Sequence, residues 1–433
     1  MVHASNGQQH RFEKSRELQR KLYLAAKKCR GRRFHALFDR MCRPDVLWRA
    51  WEEVRQNCGR AGIDGQSLEE VERLGVTEFL RKLEEDLREG RYRPLPVRRV
   101  YIPKSGGGQR PLGIPAVRDR VAQQACRLVI EPIFEATFLE SSYGFRPKRS
   151  AHHALAEVKR ELVRGEWVVD ADIRGFFDNL DHELLMGLVA RRISDRRILK
   201  VIRGWLKAGV LEGVELKSTA EGTPQGGVIS PLLANIYLHV LDAWWQRDFG
   251  HLGRLVRYCD DFVVVCADGV RARKALSAIR AILARLKLSL HPEKTRVVPV
   301  REQGFDFLGF SLFKLRSRRS GKYAPLAWPS PRSMNRIREK LREATSRRWA
   351  LRDLAEEVKV LNPIIRGWRG YFRFGNSTKK LQDLDHFAHG RLKKFFFGKQ
   401  GARAKRVKER FRTWWPQSGL ANFYVPGTCG RVL

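Results

Sequence analysis

Cysteine is sparse in this sequence and never clustered. The seven cysteines stand at positions 29, 42, 58, 126, 259, 266 and 429, with no CxxC or CxxH pair among them. That spacing argues against a structural zinc site. An odd, scattered set offers no disulfide framework and fits a reducing compartment, the bacterial cytoplasm or the nucleus. Long apolar runs are also missing. No stretch approaches the length of a membrane-spanning helix. Residues 1–28 have charges spread along them from Arg11 and lack the apolar core of a secretory signal. Acidic residues are in short supply: 47 Asp plus Glu face 85 Lys plus Arg, a net charge of +38. An excess of that size calls for a polyanion, and nucleic acid is the usual one. Charge alone fits equally well a ribosomal-type protein or a basic scaffold without catalysis.

The 433 residues suffice for two or three domains, and a hydrophobic fraction of 43% is that of a globular chain. No internal repeat is visible. Residues 11–56 read as helical and basic, with apolar positions Leu18, Leu22, Leu24 and Ala25, then Leu37, Met41, Leu47 and Val54. The loop from Asn57 to Gly65 breaks the pattern with three glycines, and a charged helix follows to Glu89. Pro94, Pro96 and Val100-Tyr-Ile-Pro103 mark strands around the loop Lys104-Ser-Gly-Gly-Gly-Gln-Arg110. A glycine-rich turn carrying Lys and Arg suits phosphate contact. Residues 165–310 alternate short apolar strands with helical patterns, and from about 330 onward the pattern is helical only. Charge is uneven: residues 311–433 hold 30 Lys plus Arg and 8 Asp plus Glu, so +22 of the +38 lies there. Near the end, Arg391 to Arg412 interleaves cations with Phe395, Phe396, Phe397 and Phe411. Such a mixture can neutralise phosphates and stack on unpaired bases. For the triple-Phe run, core burial of at least two rings is the expectation.

Carboxylates in apolar surroundings carry the chemistry. Trp167-Val-Val-Asp-Ala-Asp-Ile173 reads as a buried strand ending in acids, with Asp178 and Asn179 capping a helix to about Arg192. Leu255 to Cys266 reads as two apolar strands joined by a tight turn at Asp260-Asp261. Burying Asp172, Asp260 and Asp261 together is costly without a cation. Magnesium takes hard oxygen ligands, usually one or two carboxylates plus substrate phosphates. Two such ions are the chemistry of nucleotidyl transfer. Two turn aspartates and one capping aspartate would be the plain structural alternative.

The surroundings shift that balance. Phe177 follows Asp172 at five residues, Gly222-Thr-Pro-Gln-Gly-Gly-Val-Ile-Ser-Pro231 forms a glycine-rich turn before a helix from Leu232 to Trp245, and His291-Pro-Glu-Lys-Thr295 puts Lys294 just before a strand. In order, Ile63-Asp-Gly65, Ile102 to Pro115, Ser142-Tyr-Gly-Phe-Arg-Pro147, Asp170 to Asp178, Pro224-Gln-Gly-Gly, Tyr258-Cys-Asp-Asp261 and Phe307-Leu-Gly-Phe310 resemble the reverse transcriptases. Within them they resemble the group II intron-encoded proteins, from about residue 15 to at least residue 400. Leu361-Asn-Pro-Ile-Ile-Arg-Gly-Trp-Arg-Gly-Tyr-Phe372 resembles the group II thumb, or maturase, motif; it also reads as an amphipathic helix burying Trp368 and Tyr371.

The resemblance implies an RNA-directed DNA polymerase that copies intron RNA into cDNA and assists splicing and mobility of that intron. It implies two Mg2+ ions on Asp172, Asp260 and Asp261, with the Ile173 carbonyl contributing, and Lys294 near the leaving pyrophosphate. It also implies Lys104 and Arg110 on the triphosphate of a dNTP, Phe177 excluding a 2′-hydroxyl, and Gln225 under the incoming nucleotide. Cys259 departs from the alanine usual in the group. The implied fold is α+β, a right-hand polymerase with fingers, a palm built on an antiparallel sheet, a helical thumb and a basic tail. Boundaries fall at 1–90 (N-terminal extension and start of the fingers), 91–315 (fingers and palm), 316–400 (thumb) and 401–433 (basic DNA-binding tail). Beyond Gly390 the chain is too short, and too poor in Cys and His, for an HNH endonuclease. Expected partners are group II intron RNA, an RNA template with a DNA primer, target DNA and dNTPs, with no membrane, in the bacterial cytoplasm and on the nucleoid. Three alternatives stand at this point: a retron, diversity-generating or CRISPR-associated reverse transcriptase; a maturase that splices without polymerising; and a structural RNA-binding protein. The 361–372 segment weighs against the first, the intact aspartates against the second and the buried acids against the third.

Overall fold

The computed structural model describes residues 2–103, 108–212, 215–217, 226–317, 321–349, 352–399 and 418–427. Among them the strands are β1 (Val97–Pro103), β2 (Gln109–Ile114), β3 (Trp167–Asp172), β4 (Val210–Glu212), β5 (Glu215–Lys217), β6 (Arg254–Tyr258), β7 (Asp261–Cys266), β8 (Arg296–Pro299), β9 (Phe305–Phe307), β10 (Phe310–Arg316) and β11 (Tyr323–Pro329). They form three sheets, ordered β2-β1-β4-β5, β6-β7-β3-β8 and β11-β10-β9. With helices around them, the architecture is mixed α and β.

Period-two alternation builds the central sheet β6-β7-β3-β8, whose neighbours are all antiparallel. Val168, Val263 and Val265 point to one face and pack with Phe305, Phe307 and Phe310. Val169, Ala171, Phe262 and Val264 point to the other and join the large core made with the N-terminal half of the chain. β-Branched residues dominate because both faces are covered.

The N-terminal half differs from the sequence expectation in its breaks. The helical region splits into Val2–Lys28, Phe38–Met41 and Pro44–Gln56. Leu24 is 52% exposed, and Ala26 takes the buried position in its place. Asp195 holds the break: one carboxylate oxygen accepts from the Leu37 and Phe38 N–H groups, both at 2.8 Å, while the other caps helix Arg196–Lys207. The charged helix up to residue 89 is two helices, Leu68–Leu74 and Val76–Arg88, broken at Gly75, whose φ of 108° favours glycine. Asp181, not Asp178 or Asn179, caps helix His182–Ala190, accepting from Leu184 N–H at 2.8 Å. The Asn179 side chain is engaged instead in the preceding turn, donating to the Arg174 and Gly175 carbonyls.

β1 and β2 form an antiparallel hairpin closing at Pro103 and Gln109. Lys104, next in sequence after Pro103, is outside the described residues. Towards the C-terminus, helices Pro331–Ala344, Leu354–Phe372 and Thr378–Lys399 bury residues at helical spacing: Met334, Ile337 and Leu341; Val358, Leu361 and Ile365; Leu381, Leu384 and Leu392. Phe395 and Phe396 are buried as expected.

Within the stretch expected to be a basic DNA-binding tail, residues 401–433, the structure describes 418–427. Residues 418–427 fold back onto the helices. Asn362 donates to the Gly419 carbonyl and accepts from Ala421 N–H. Asp385 accepts from the N–H groups of Phe423 and Tyr424 at 2.6 and 2.9 Å, and Phe423 is fully buried. Phe423→Ala should therefore destabilise the helical unit by about 3–5 kcal/mol, the usual cost of emptying a buried Phe site. Urea unfolding of the two proteins measures it. An unchanged midpoint would mean that the segment is peripheral.

Candidate active site

Strand register brings the acids together. Asp172, the last residue of β3, is the direct cross-strand partner of Asp261, the first of β7. Both lie on the face that carries Val168, Val263 and Val265, as does Asp170 two residues earlier. Like charges directly opposite on one face are destabilising, so no packing demand accounts for this pair. The hairpin turn lies one residue earlier than the sequence implied. Tyr258 pairs with Asp261, so the two loop residues are Cys259 and Asp260. Cys259 has φ 61°, the first-position geometry that favours glycine in type II′ turns.

Burial and mutual repulsion show in the acidities. Burial above all pushes the Asp261 carboxyl up to about 7, and Asp170, Asp260 and Asp172 push further; the Leu308 N–H, hydrogen-bonded to it, opposes. Burial also raises Asp260, with Asp172 adding to the rise and the Arg110 and Arg257 guanidiniums opposing it. Asp170 is raised by burial against the pull of Arg296, whose Nη2 donates to its carboxylate at 3.0 Å. Lys294 Nζ sits 2.8 Å from Asp172 Oδ2. The segment carrying that lysine is tied to the strand end: His291 N–H donates to the Asp172 carbonyl at 2.8 Å, and buried Ile173 bridges Leu290.

Phe177 is half-buried, its ring edge-on to buried Phe176 with centroids 5.1 Å apart. Arg110, on β2, is close enough to be felt at Asp260. Gln225 lies outside the described residues. The residue after it, Gly226, runs against β2, and a Cβ there would meet the Gly113 carbonyl oxygen at 2.4 Å. The Gln123 side-chain oxygen accepts from Val228 N–H at 2.9 Å and steadies the same loop. From the C-terminal helices, the Tyr371 hydroxyl donates to the Leu308 carbonyl at 2.9 Å, so a single turn touches both Tyr371 and Asp261.

Among the described residues, no three Asp, Glu, His or Cys side chains by themselves form a group that could hold a metal ion. The donor set nonetheless fits magnesium, which binds through one or two carboxylates and completes its shell with water and substrate phosphates.

Sequence reasoning missed a buried polar network behind the turn. Arg257 and Asp242 are both fully buried and paired. Asn235 Nδ2 donates to the Gly144 carbonyl at 2.8 Å, and a Cβ on Gly144 would stand 2.5 Å from the Cys259 nitrogen. The available signal was a charge inside an apolar strand, Leu255-Val-Arg-Tyr258, matched by an acid inside the apolar helix Ser230–Trp244.

The raised pKa of Asp261 makes stability depend on pH. A carboxyl raised from 3.8 to about 7 on folding contributes fully below the lower value, and that contribution is lost as pH rises through about 7. Asp261→Asn stays neutral and keeps an acceptor for Leu308. In metal-free buffer it should leave stability near pH 4 unchanged. At pH 8 it should raise stability by at most about 4 kcal/mol. Urea unfolding at the two pH values checks this, and no gain at pH 8 would contradict it.

Known proteins are similar to this chain in sequence. Residues 102–312 match the family described as reverse transcriptase (RNA-dependent DNA polymerase), and residues 334–415 match the group II intron maturase-specific domain. Protein YkfC of Escherichia coli K12 is 39% identical over 345 residues, 70% of this chain and 89% of the relative. The group II intron-encoded protein LtrA of Lactococcus lactis subsp. cremoris is 43% identical over 212 residues, 48% of this chain and 35% of LtrA. A 91 kDa protein in the cob intron of Schizosaccharomyces pombe is 27% identical over 426 residues, covering 79% and 51%. With paired-strand carboxylates inside the first matched region and most of the three-helix unit inside the second, the chain belongs to the group II intron-encoded reverse transcriptase and maturase family, whose enzymes are RNA-directed DNA polymerases.

Proposed function

We propose that this chain copies intron RNA into cDNA by nucleotidyl transfer on Asp172, Asp260 and Asp261, and that it assists the splicing and mobility of the same intron. The observation that carries the reading is the direct opposition of Asp172 and Asp261 on a covered sheet face, with Asp260 in the adjoining turn. Two Mg2+ ions held there, with the Ile173 carbonyl contributing, would activate the primer hydroxyl and stabilise the leaving oxygen.

The protein's own groups supply the rest. Arg110, with Lys104, holds the triphosphate through charge-assisted hydrogen bonds. Phe177 presents its ring where the sugar edge of a dNTP would lie and leaves no room for a 2′-hydroxyl. Gln225 lies under the incoming base, on a loop whose Gly226 permits close backbone approach. Lys294 keeps a proton-bearing cation at Asp172, placed to accompany the departing pyrophosphate.

In this reading residues 1–90 are the N-terminal extension and start of the fingers, 91–315 fingers and palm, and 316–400 the thumb. Residues 401–433 act as a basic DNA-binding element, part of it folded back. The palm would place the metals and the thumb would grip template and primer, largely by shape and phosphate contact. Group II intron RNA and target DNA are the larger partners, and the +22 charge of the last 123 residues supports that role. No described helix is long and apolar enough to cross a membrane; we place the protein in the bacterial cytoplasm, on the nucleoid when bound to DNA.

Two experiments test these roles. Asp260→Asn combined with Asp261→Asn should abolish Mg2+-dependent cDNA synthesis, because amides cannot replace anionic ligands, while RNA binding and low-magnesium splicing of the host intron persist. Primer extension at a near-normal rate would remove the carboxylates from catalysis. Phe177→Ala should lower the preference for dNTP over rNTP by tenfold or more, measured as the ratio of incorporation efficiencies. An unchanged ratio in active protein would leave Phe177 a packing residue.

A further inference from the structure

Arg257 lies on β6 opposite Phe262, so it occupies the sheet face away from Asp172 and Asp261. It is fully buried, cannot reach substrate, and yet uses every N–H of its guanidinium. Nε donates to Asp242 Oδ1 at 2.9 Å and Nη2 to Asp242 Oδ2. Nη2 also donates to Ser142 Oγ at 2.8 Å, and Nη1 to Asn235 Oδ1 at 3.1 Å. The fifth bond runs from Nη1 to the carbonyl of Cys259 at 2.9 Å.

That last acceptor matters because Cys259 holds a left-handed φ of 61° next to Asp260. A non-glycine residue persists there only when its surroundings over-determine the backbone. Arg257 fixes the carbonyl side of the residue, and the Gly144 backbone, itself held by Asn235, closes on its nitrogen. The strand on either side adds the Arg257 N–H to the Ser141 carbonyl and the Tyr143 N–H to the Arg257 carbonyl, both at 2.8 Å.

We propose that Arg257 is a positioning residue for catalysis: its fork, anchored on Asp242, holds the Cys259-Asp260 turn in the conformation that presents Asp260 and Asp261 to the reaction. The inference rests on those aspartates being the catalytic carboxylates. Lysine cannot replace the fork. Its ammonium keeps the charge beside Asp242 but is a single point of donors, not a planar five-donor array. Misplacing a reacting group by about 1 Å costs on the order of 100-fold in rate.

The test is steady-state primer extension with full-length Arg257→Lys on an RNA template. The expected result is a fall in kcat of roughly 10- to 100-fold, a higher Mg2+ concentration for half-maximal rate, and unchanged KM for dNTP and Kd for RNA. Adding Cys259→Gly, which adopts the turn without strain, should restore part of the lost kcat. Full kcat in folded Arg257→Lys would overturn the proposal, as would a loss that Cys259→Gly fails to relieve. Should Arg257→Lys not fold, Ser142→Ala removes one acceptor and leaves the ion pair. A lower kcat well below the melting transition, relieved by Cys259→Gly, supports the proposal, and an unchanged kcat overturns it. The Asp260→Asn, Asp261→Asn protein, assayed alongside, separates the two failures. If it stays active, the assignment of the carboxylates is wrong; if it is dead while Arg257→Lys is fully active, only the role of Arg257 is wrong.

Discussion

The buried ion pair between Arg257 and Asp242 is the interaction on which the active corner of this fold depends. Taking two charges fully out of water carries a desolvation cost that attraction alone offsets poorly. Here every guanidinium N–H has an acceptor, and removing one partner would cost about 3–5 kcal/mol by leaving the other charge stranded. The pair joins helix Ser230–Trp244 to the central sheet, and through Ser142 and Asn235 it draws in the Ser142–Gly144 segment. Replacing it by apolar residues of similar volume could hold the same helix and sheet together. It could not hold the Cys259 carbonyl.

On the other face of the sheet the balance runs the opposite way. Asp172 and Asp261 face each other across paired strands, Asp170 and Asp260 stand nearby, and burial raises the pKa of Asp170, Asp260 and Asp261. Stability alone would select against this arrangement. It persists because the surrounding frame is stiff. Val-rich strands are packed on both faces, the Leu308-Gly309 turn reaches Asp261, and Tyr371 ties that turn to the C-terminal helices. Phe310 lies fully buried among Tyr371, Phe372 and Phe374 at centroid distances of 5.7, 5.0 and 5.8 Å. The helical unit is thereby packed directly against the sheet that carries the acids, and a shift of one has a short mechanical path to the other.

Much of this was readable from residues alone, for identifiable reasons. Short continuous apolar runs in Trp167–Asp172 and in residues 255–266 announce covered strands, and acids at their ends are conspicuous against valine. Helical spacing from 331 to 392 was equally plain. Other features depend on tertiary choices that local pattern does not encode. The turn shifted by one residue because register with β3 is set by burial of whole strand faces, which moved Asp261 into the strand. Asp181 took the cap from Asp178 because Gly175 let the chain turn before the helix began. Residues 418–427 read as part of a tail because no helical or strand period marks them; only the distant partners Asp385 and Asn362 give the segment a place. Arg257 was overlooked because a charge amid apolar residues reads as an exception until its five acceptors, drawn from four separate positions, are in view. Lys104 and Gln225 lie outside the described residues, and their roles rest on the family resemblance.

The backbone at Cys259 is the point where a remote charge pair meets the active corner. A crystal structure of the Arg257→Lys protein addresses that directly. The account predicts that the pairing of β3 with β7 stays in register while Cys259 leaves its left-handed φ and the Asp260 carboxylate moves away from Asp172. A Cys259 φ still near 61°, with Asp260 in place, would contradict it.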